Sequence, residues 1–547
     1  MRFVALCKIK TTRIFPAALC FFSFALAAAP AAGQPVALWD CWEHSFTASG
    51  TPGGEVRLQV ELVSPRGRRV TADGFWDGGA VWRIRFMADE QGRWSYRTSS
   101  EPSVPGLDQQ SGSWECRGRS RRTRFLQHGP LTVSADRRYL QHRDGTPFFW
   151  MADTAWNGAL LSTAEDWRAY LRDRAAKHFS AIQFVATAPW RTAPTDAEGQ
   201  TAFTGTDPVI LQPRFFQRLD ERIRDICEQG LLPVPVMLWA IRGEENPGAS
   251  LSEPQALRVL QYLTARYGAY PLVWIPAGDA TYTGPVAERW QRLGRALFGR
   301  GAHAPVVMHP GGMQWPWDAF RAESWVDLFG YQSGHGDDAK TLAWIHSGPA
   351  AAGWMEEPVR PILNLEPPYE GHLAYQSRKP HSDQSVRRAA YWSLLAAPPA
   401  GLTYGAHGIW SWQTAPGIPL KHAGTGEALP WSQAMQFPGS RQMQHLVDFF
   451  QSLHWWKLRP RPEILAEQPG RQDAAAFISA AESDTGEVQV FYLPRGGEVR
   501  LRAGEHFRGR KAAWFDPRTG QSRPAGSAKS IVYRAPDQQD WLLLRKR

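Results

Sequence analysis

The chain has 547 residues, 43% of them hydrophobic, which excludes a disordered or fibrous protein and allows about three domains with ordinary cores. Its 62 Lys and Arg against 52 Asp and Glu leave a net charge of +10, but these are scattered with no stripe interleaved with aromatics, so a nucleic-acid partner is not expected. The 26 tryptophans are an excess: indole faces stack on sugars as well as fill cores, and a basic surface suits an acidic polysaccharide.

Residues 1–33 read as a secretory signal, with Arg2, Lys8, Lys10 and Arg13 ahead of an apolar stretch at 14–26 and small residues at 27–33 for cleavage. An uncleaved N-terminal anchor is the alternative. The apolar stretch is short for a membrane span and no later segment could cross a bilayer. The mature chain is therefore expected to be secreted or periplasmic, in an oxidising compartment. Cys41, Cys116 and Cys227 remain after the signal. Cys41 and Cys116 lie near the two ends of the first expected domain and could pair, which geometry decides. Cys227 falls in a helical pattern, as a free buried thiol. No Cys/His spacing fits structural zinc, and no metal or cofactor is expected.

Residues 35–118 alternate at period two, as in 56–63 and 81–86, with Gly/Pro turns between the runs. This predicts an N-terminal β-sandwich with its Trp and Phe residues in the core. After a basic linker at 117–124, residues 125–460 alternate apolar β-runs with helical stretches, the signature of a parallel α/β fold. Eight strands are predicted at 148–153, 181–187, 232–239, 272–279, 305–311, 328–335, 362–366 and 401–409. Between them, Ser162 to Glu165 fits a capping box, and 213–228 carries apolar residues near helical spacing. Eight such units predict a TIM (β/α)8 barrel. Residues 462–547 return to β-patterning and predict a C-terminal β-sandwich.

Two of the barrel strands end alike. Leu272-Val273-Trp274-Ile275-Pro276-Ala277-Gly278 delivers Asp279, and Ile362-Leu363-Asn364-Leu365 delivers Glu366 before two prolines. Barrels do chemistry at the carboxyl ends of their strands. Two acids there, among aromatics, point to glycosidic bond cleavage. Other strand ends add candidate substrate contacts: Asp153 and Trp156, Trp190, Trp239, His309, Tyr331, Gln332 and His335, and Tyr404, His407 and Trp410. Such groups hold hydroxyls and stack on a ring. Glu370 competes with Glu366 as nucleophile but lies beyond the prolines, where a loop is expected.

Several motifs together resemble the apiosidase-like family of bacterial glycoside hydrolases. They are Phe149-Trp150-Met151-Ala152-Asp153-Thr154-Ala155-Trp156, Trp274-Ile275-Pro276-Ala277-Gly278-Asp279, His309-Pro310-Gly311-Gly312, Tyr331-Gln332-Ser333-Gly334-His335, the run from Asn364 to Glu370, and the run from Tyr404 to Trp410. The resemblance covers most of the chain, and the C-terminal part is similar to a module labelled collagen-binding. It implies retaining hydrolysis, with Asp279 as acid/base and Glu366 as nucleophile. It also implies release at apiose in the pectic polysaccharide rhamnogalacturonan II. One departure is Ala277, where the motif carries Gly; it narrows the backbone approach beside Asp279 without removing the acid.

The expected protein is thus a secreted glycoside hydrolase acting on an oligo- or polysaccharide of the plant cell wall. The first alternative is a non-catalytic carbohydrate-binding protein on the same scaffold, which requires Asp279 and Glu366 to diverge or be salt-bridged away from any cleft. The second is a metal-dependent hydrolase using Asp153, His309 and His335, which no compact HxH or HExxH spacing supports.

Overall fold

Short apolar strands build the centre of the protein: β1 (Trp150–Thr154), β2 (Ala181–Val185), β3 (Leu232–Trp239), β4 (Ile275–Ala280), β5 (His309–Pro310), β6 (Phe329–Gln332), β7 (Ile362–Glu366) and β8 (Gly401–Tyr404). They pair in parallel in the order β5-β4-β3-β2-β1-β8-β7-β6, and a parallel bridge from Val307 to Leu328 joins the two ends. Helices cover the outer face, so nearly every strand residue is buried on both sides, which is why these runs are continuously apolar rather than alternating. This is the TIM barrel expected from the sequence, in a computed structural model that describes residues 32–50, 56–299, 301–502 and 511–547.

The segment read as a signal lies outside the described residues except for Ala32 and Gly33, which begin the first strand, Ala32–Val36. Among the described residues no helix is long and apolar enough to cross a membrane.

Helix α1 (Ala164–Ala176) starts one residue later than the capping box predicts. Thr163 is the cap, its hydroxyl accepting from the Asp166 N–H at 3.1 Å. Ser162 closes the preceding short helix instead, and its carbonyl accepts from Arg218 and Arg222. Helix α2 (Pro213–Glu228) matches its periodicity, burying Phe215, Phe216, Leu219, Ile223 and Ile226 against the barrel.

Ahead of the barrel, a five-stranded and a three-stranded sheet form a sandwich. Its tryptophans are core: Trp42 and Trp114 stack with ring centroids 3.8 Å apart. Behind the barrel, a six-stranded sheet and a two-stranded sheet enclose a separate apolar core around Trp514, Trp541 and Leu543. Cys41, Cys116 and Cys227 are all free thiols. Cys41 and Cys116 do not pair because they serve different cores: Cys116 lies inside the sandwich, and Cys41 packs outward against the barrel. Cys227 is half-buried on the same outer side of the barrel.

Candidate active site

At the carboxyl end of β4 the ladder to β5 slips between Gly278 and Ala280, and Asp279 sits in the left-handed region at φ +57°. A non-glycine residue rarely adopts this conformation, and such strain persists where surroundings impose it, typically at functional sites. The slip turns the Asp279 carboxyl toward the cleft, where part of its surface stays open. Ala277, the residue that departs from the family motif, is fully buried, and its carbonyl accepts from the Tyr282 hydroxyl at 2.9 Å.

Glu366 ends β7 between two imidazoles. His309 Nε2 lies 3.3 Å from one carboxylate oxygen and His335 Nε2 3.1 Å from the other. Each ring turns its Nδ1 toward a backbone N–H, that of Asp279 at 3.4 Å for His309 and that of Tyr369 at 3.4 Å for His335. A nitrogen facing an N–H is an acceptor, so in both rings the proton belongs on Nε2, aimed at Glu366. His335 thus hydrogen-bonds one oxygen of the carboxylate, and His309 faces the other at contact distance. Asn364, two residues earlier, donates to Ser333 and Ser393 and accepts from the Glu366 N–H, bracing the strand end.

The two acids are displaced in opposite directions. Burial raises the Asp279 carboxyl well above the ordinary range, and the charge of Glu366 raises it further; Arg191 opposes both. Burial also pushes Glu366 up, but the His309 and His335 contacts overcome it and hold it at about 2. One group is pushed toward its protonated form and the other is held ionised, the kind of asymmetry that glycoside cleavage uses.

A cleft of about 250 Å³ opens above them. Of the candidates drawn from sequence, it brings together Asp279, Glu366, Trp190, Gln332, His335 and Trp410. His309 is fully buried behind the two acids. Trp156 and Trp239 form a floor: the Trp156 indole donates to the Tyr369 hydroxyl at 2.9 Å, and Trp156 packs edge-on against Trp239 and His309. His407 backs Trp410, accepting its indole N–H at 3.0 Å.

Three of the residues expected from the sequence to contact substrate face away from the cleft instead. Asp153 is fully buried against α1, ion-paired with Arg174 and accepting from the Tyr170 hydroxyl. Tyr404 is fully buried and donates to Glu370 at 2.6 Å. Tyr331 packs its ring against Trp315 and Trp344. Side chains alternate along a strand between lumen and helix layer, and these three take the helix side. The metal-dependent alternative loses Asp153 for the same reason. Glu370 is not a rival nucleophile: it is buried, with Tyr404 and the Gly439 N–H on its carboxylate.

The cleft also takes Arg191, which follows Trp190 past the end of β2, and residues the strand-end pattern did not single out: Tyr369, His372, Tyr375 and His422. All come from loops, where no periodicity marks them. Tyr369 can hold its place in the cleft because position 405 is glycine; a Cβ there would come within 2.0 Å of its ring.

A catalytic-type barrel with two oppositely tuned acids at its mouth defines a glycoside hydrolase architecture. The chain belongs to the apiosidase-like family: the model described as “Apiosidase-like, catalytic domain” matches residues 134–457. Residues 35–101 match a domain of unknown function, DUF5060, and residues 460–546 match the “Putative collagen-binding domain of a collagenase”. No curated protein matches the chain. Among solved structures, one named a glycoside hydrolase is 22% identical with a TM-score of 0.67, covering 77% of this chain and 97% of its own. A glycoside hydrolase family 5 protein from Bacteroides vulgatus is 20% identical with a TM-score of 0.68, covering 77% and 93%. At these identities the likeness speaks for the fold.

Proposed function

We propose that this protein is a retaining glycoside hydrolase that acts on a pectic, apiose-containing polysaccharide of the plant cell wall outside the cell. Glu366 attacks the anomeric carbon while Asp279 donates its proton to the departing glycosidic oxygen. Water then enters, loses a proton to Asp279, and releases the sugar from Glu366. The observation that carries this reading is the opposite displacement of two acids sharing one cleft.

Arg191 supports an acidic substrate. Its guanidinium stacks over Trp190 at 5.2 Å and reaches the Lys421 carbonyl only at 3.4 Å, and its buried Nε has no hydrogen-bond partner among the described residues. A uronate carboxylate is the ligand group that fits such a donor. Arg2, Lys8, Lys10 and Arg13 would leave with the signal, and the remaining chain still carries a net positive charge that favours approach of a polyanion.

Glu366→Gln tests the reading. It keeps the shape, removes the nucleophile, and is expected to lower turnover of rhamnogalacturonan II by at least about 10⁴-fold in a chain that still unfolds cooperatively. Near-normal release of sugar by that variant sinks the assignment.

A further inference from the structure

The motif His309-Pro310-Gly311-Gly312 carries two glycines that the chemistry above does not use. Glycine is normally required by a left-handed backbone or by a neighbour too close for a Cβ. Gly334, packed beside Gly312 in the lining of the same cleft, meets the first condition with φ +70°. Gly312 meets neither. Its φ is not positive, and the nearest atom to a Cβ there would be Gly334 Cα at 3.8 Å.

Nothing in the fold therefore asks for glycine at 312, yet this residue lines the cleft. Its place is next to the acid: a Cβ on the adjoining Gly311 would lie 3.7 Å from Asp279 Oδ1. The loop is also pinned. The Gly311 N–H donates to the Ala280 carbonyl at 3.0 Å, the Met313 N–H to the Gln332 carbonyl at 2.8 Å, and the Gln314 amide to Thr281 Oγ1 at 2.9 Å. The Gly334 N–H donates to the Glu366 carbonyl at 3.2 Å. A side chain at 312 would stand in the cleft, because the loop beneath it is tied to β4 and β6.

We propose that Gly312, facing Gly334 beside Asp279, keeps open the lane for the leaving-group sugar, and so selects substrates whose leaving group is a bulky residue embedded in a chain. The inference rests on Asp279 being the acid, since the acid must reach the oxygen of the leaving group and so marks that side of the cleft. Over Gly312 and Gly334 the chain can pass close to backbone.

The test compares Gly312→Ala and Gly312→Val with the wild-type protein on two probes: rhamnogalacturonan II, whose leaving group is part of a polymer, and apiosyl fluoride, whose leaving group is a single atom. Gly312→Val is expected to lose about 100-fold in kcat/KM on the polymer. Gly312→Ala is expected to lose about tenfold. Both keep fluoride hydrolysis close to wild type. The melting temperature of Gly312→Ala should equal or exceed that of the wild type, since a Cβ fits there and narrows the unfolded ensemble. Unimpaired polymer cleavage by Gly312→Val overturns the proposal, as does an equal loss on both probes, which would make Gly312 structural. A wild-type protein that cleaves the fluoride and leaves the polymer untouched also overturns it. A wild-type protein inactive on both probes brings down the glycosidase reading itself, and this inference with it.

Discussion

At the junction between the N-terminal sandwich and the barrel, Asp220 is gripped by Arg85 and Arg266, and Asp77 by Arg83 and Arg266. In the cleft, Glu366 faces imidazoles, and among the described residues Asp279 forms no ion pair. Burial pushes Asp220 up, but Arg85 and Arg266 outweigh it and hold its carboxyl below the ordinary range. Burial pushes Asp279 up in the same way, and no cation at contact distance answers. The junction also borders a larger cavity, about 720 Å³ against 250 Å³ at the cleft, so room alone does not mark the reactive place. An acid matched by an arginine fork is locked in one state, whereas an acid left unmatched keeps a proton to give.

The largest effect should come from breaking the locked cluster. Asp220→Ala takes away the carboxylate that two buried guanidiniums share, leaving Arg85 only Glu43 and Arg266 only Asp77 as acidic partners, and is expected to cost about 3 kcal/mol of stability in denaturant unfolding. Activity per folded molecule should not change. A cost below about 1 kcal/mol would mean that the junction is not held by this pair.

Asp279→Asn should act with the opposite sign. Ordinary Asp titrates near 3.8 and the folded group titrates well above it, so the stability Asp279 contributes is full below 3.8 and is lost as pH rises through the folded value. Replacing the acid with an amide removes that loss. The variant should gain about 1 kcal/mol at neutral pH while losing about 10²-fold or more in turnover. Thermal melts at neutral and mildly acid pH separate the two: a gain that does not shrink as pH falls would contradict a raised Asp279.

The sequence made Asp279 and Glu366 visible because each ends an apolar run at a point where the chain must turn. It concealed which way neighbouring side chains face. In strands buried on both sides the apolar run is unbroken, so Asp153 and Tyr404 look the same as residues that reach the lumen, and only the helix packed outside them reveals their partners, Arg174 and Glu370. The loop residues His372 and His422 were out of reach for another reason. Their contribution depends on how two separate connections fold back over one opening, which no local pattern encodes. Arg191 was legible, since it directly follows Trp190 just past the end of the second barrel strand.

The smallest effect concerns the imidazole pair. His335→Ala removes the imidazole hydrogen-bonded to Glu366 and leaves His309 in contact with the other oxygen. A hydrogen bond to a charged group is worth about 1.5–3 kcal/mol, and one pKa unit about 1.4 kcal/mol, so Glu366 should climb by about one to two units from about 2. The acidic limb of kcat/KM against pH should climb with it, since attack needs the ionised carboxylate. The basic limb belongs to Asp279 and should stay put, because Glu366 is already ionised on both sides of it. The same shift should appear in acid unfolding. Glu366 contributes stability above its ordinary value of 4.5 that is lost as pH falls toward about 2, and a smaller depression leaves less of it to lose. A His335→Ala profile that drops uniformly at every pH, with its acidic limb unmoved, would mean that His335 only packs beside Tyr369 and does not tune the nucleophile.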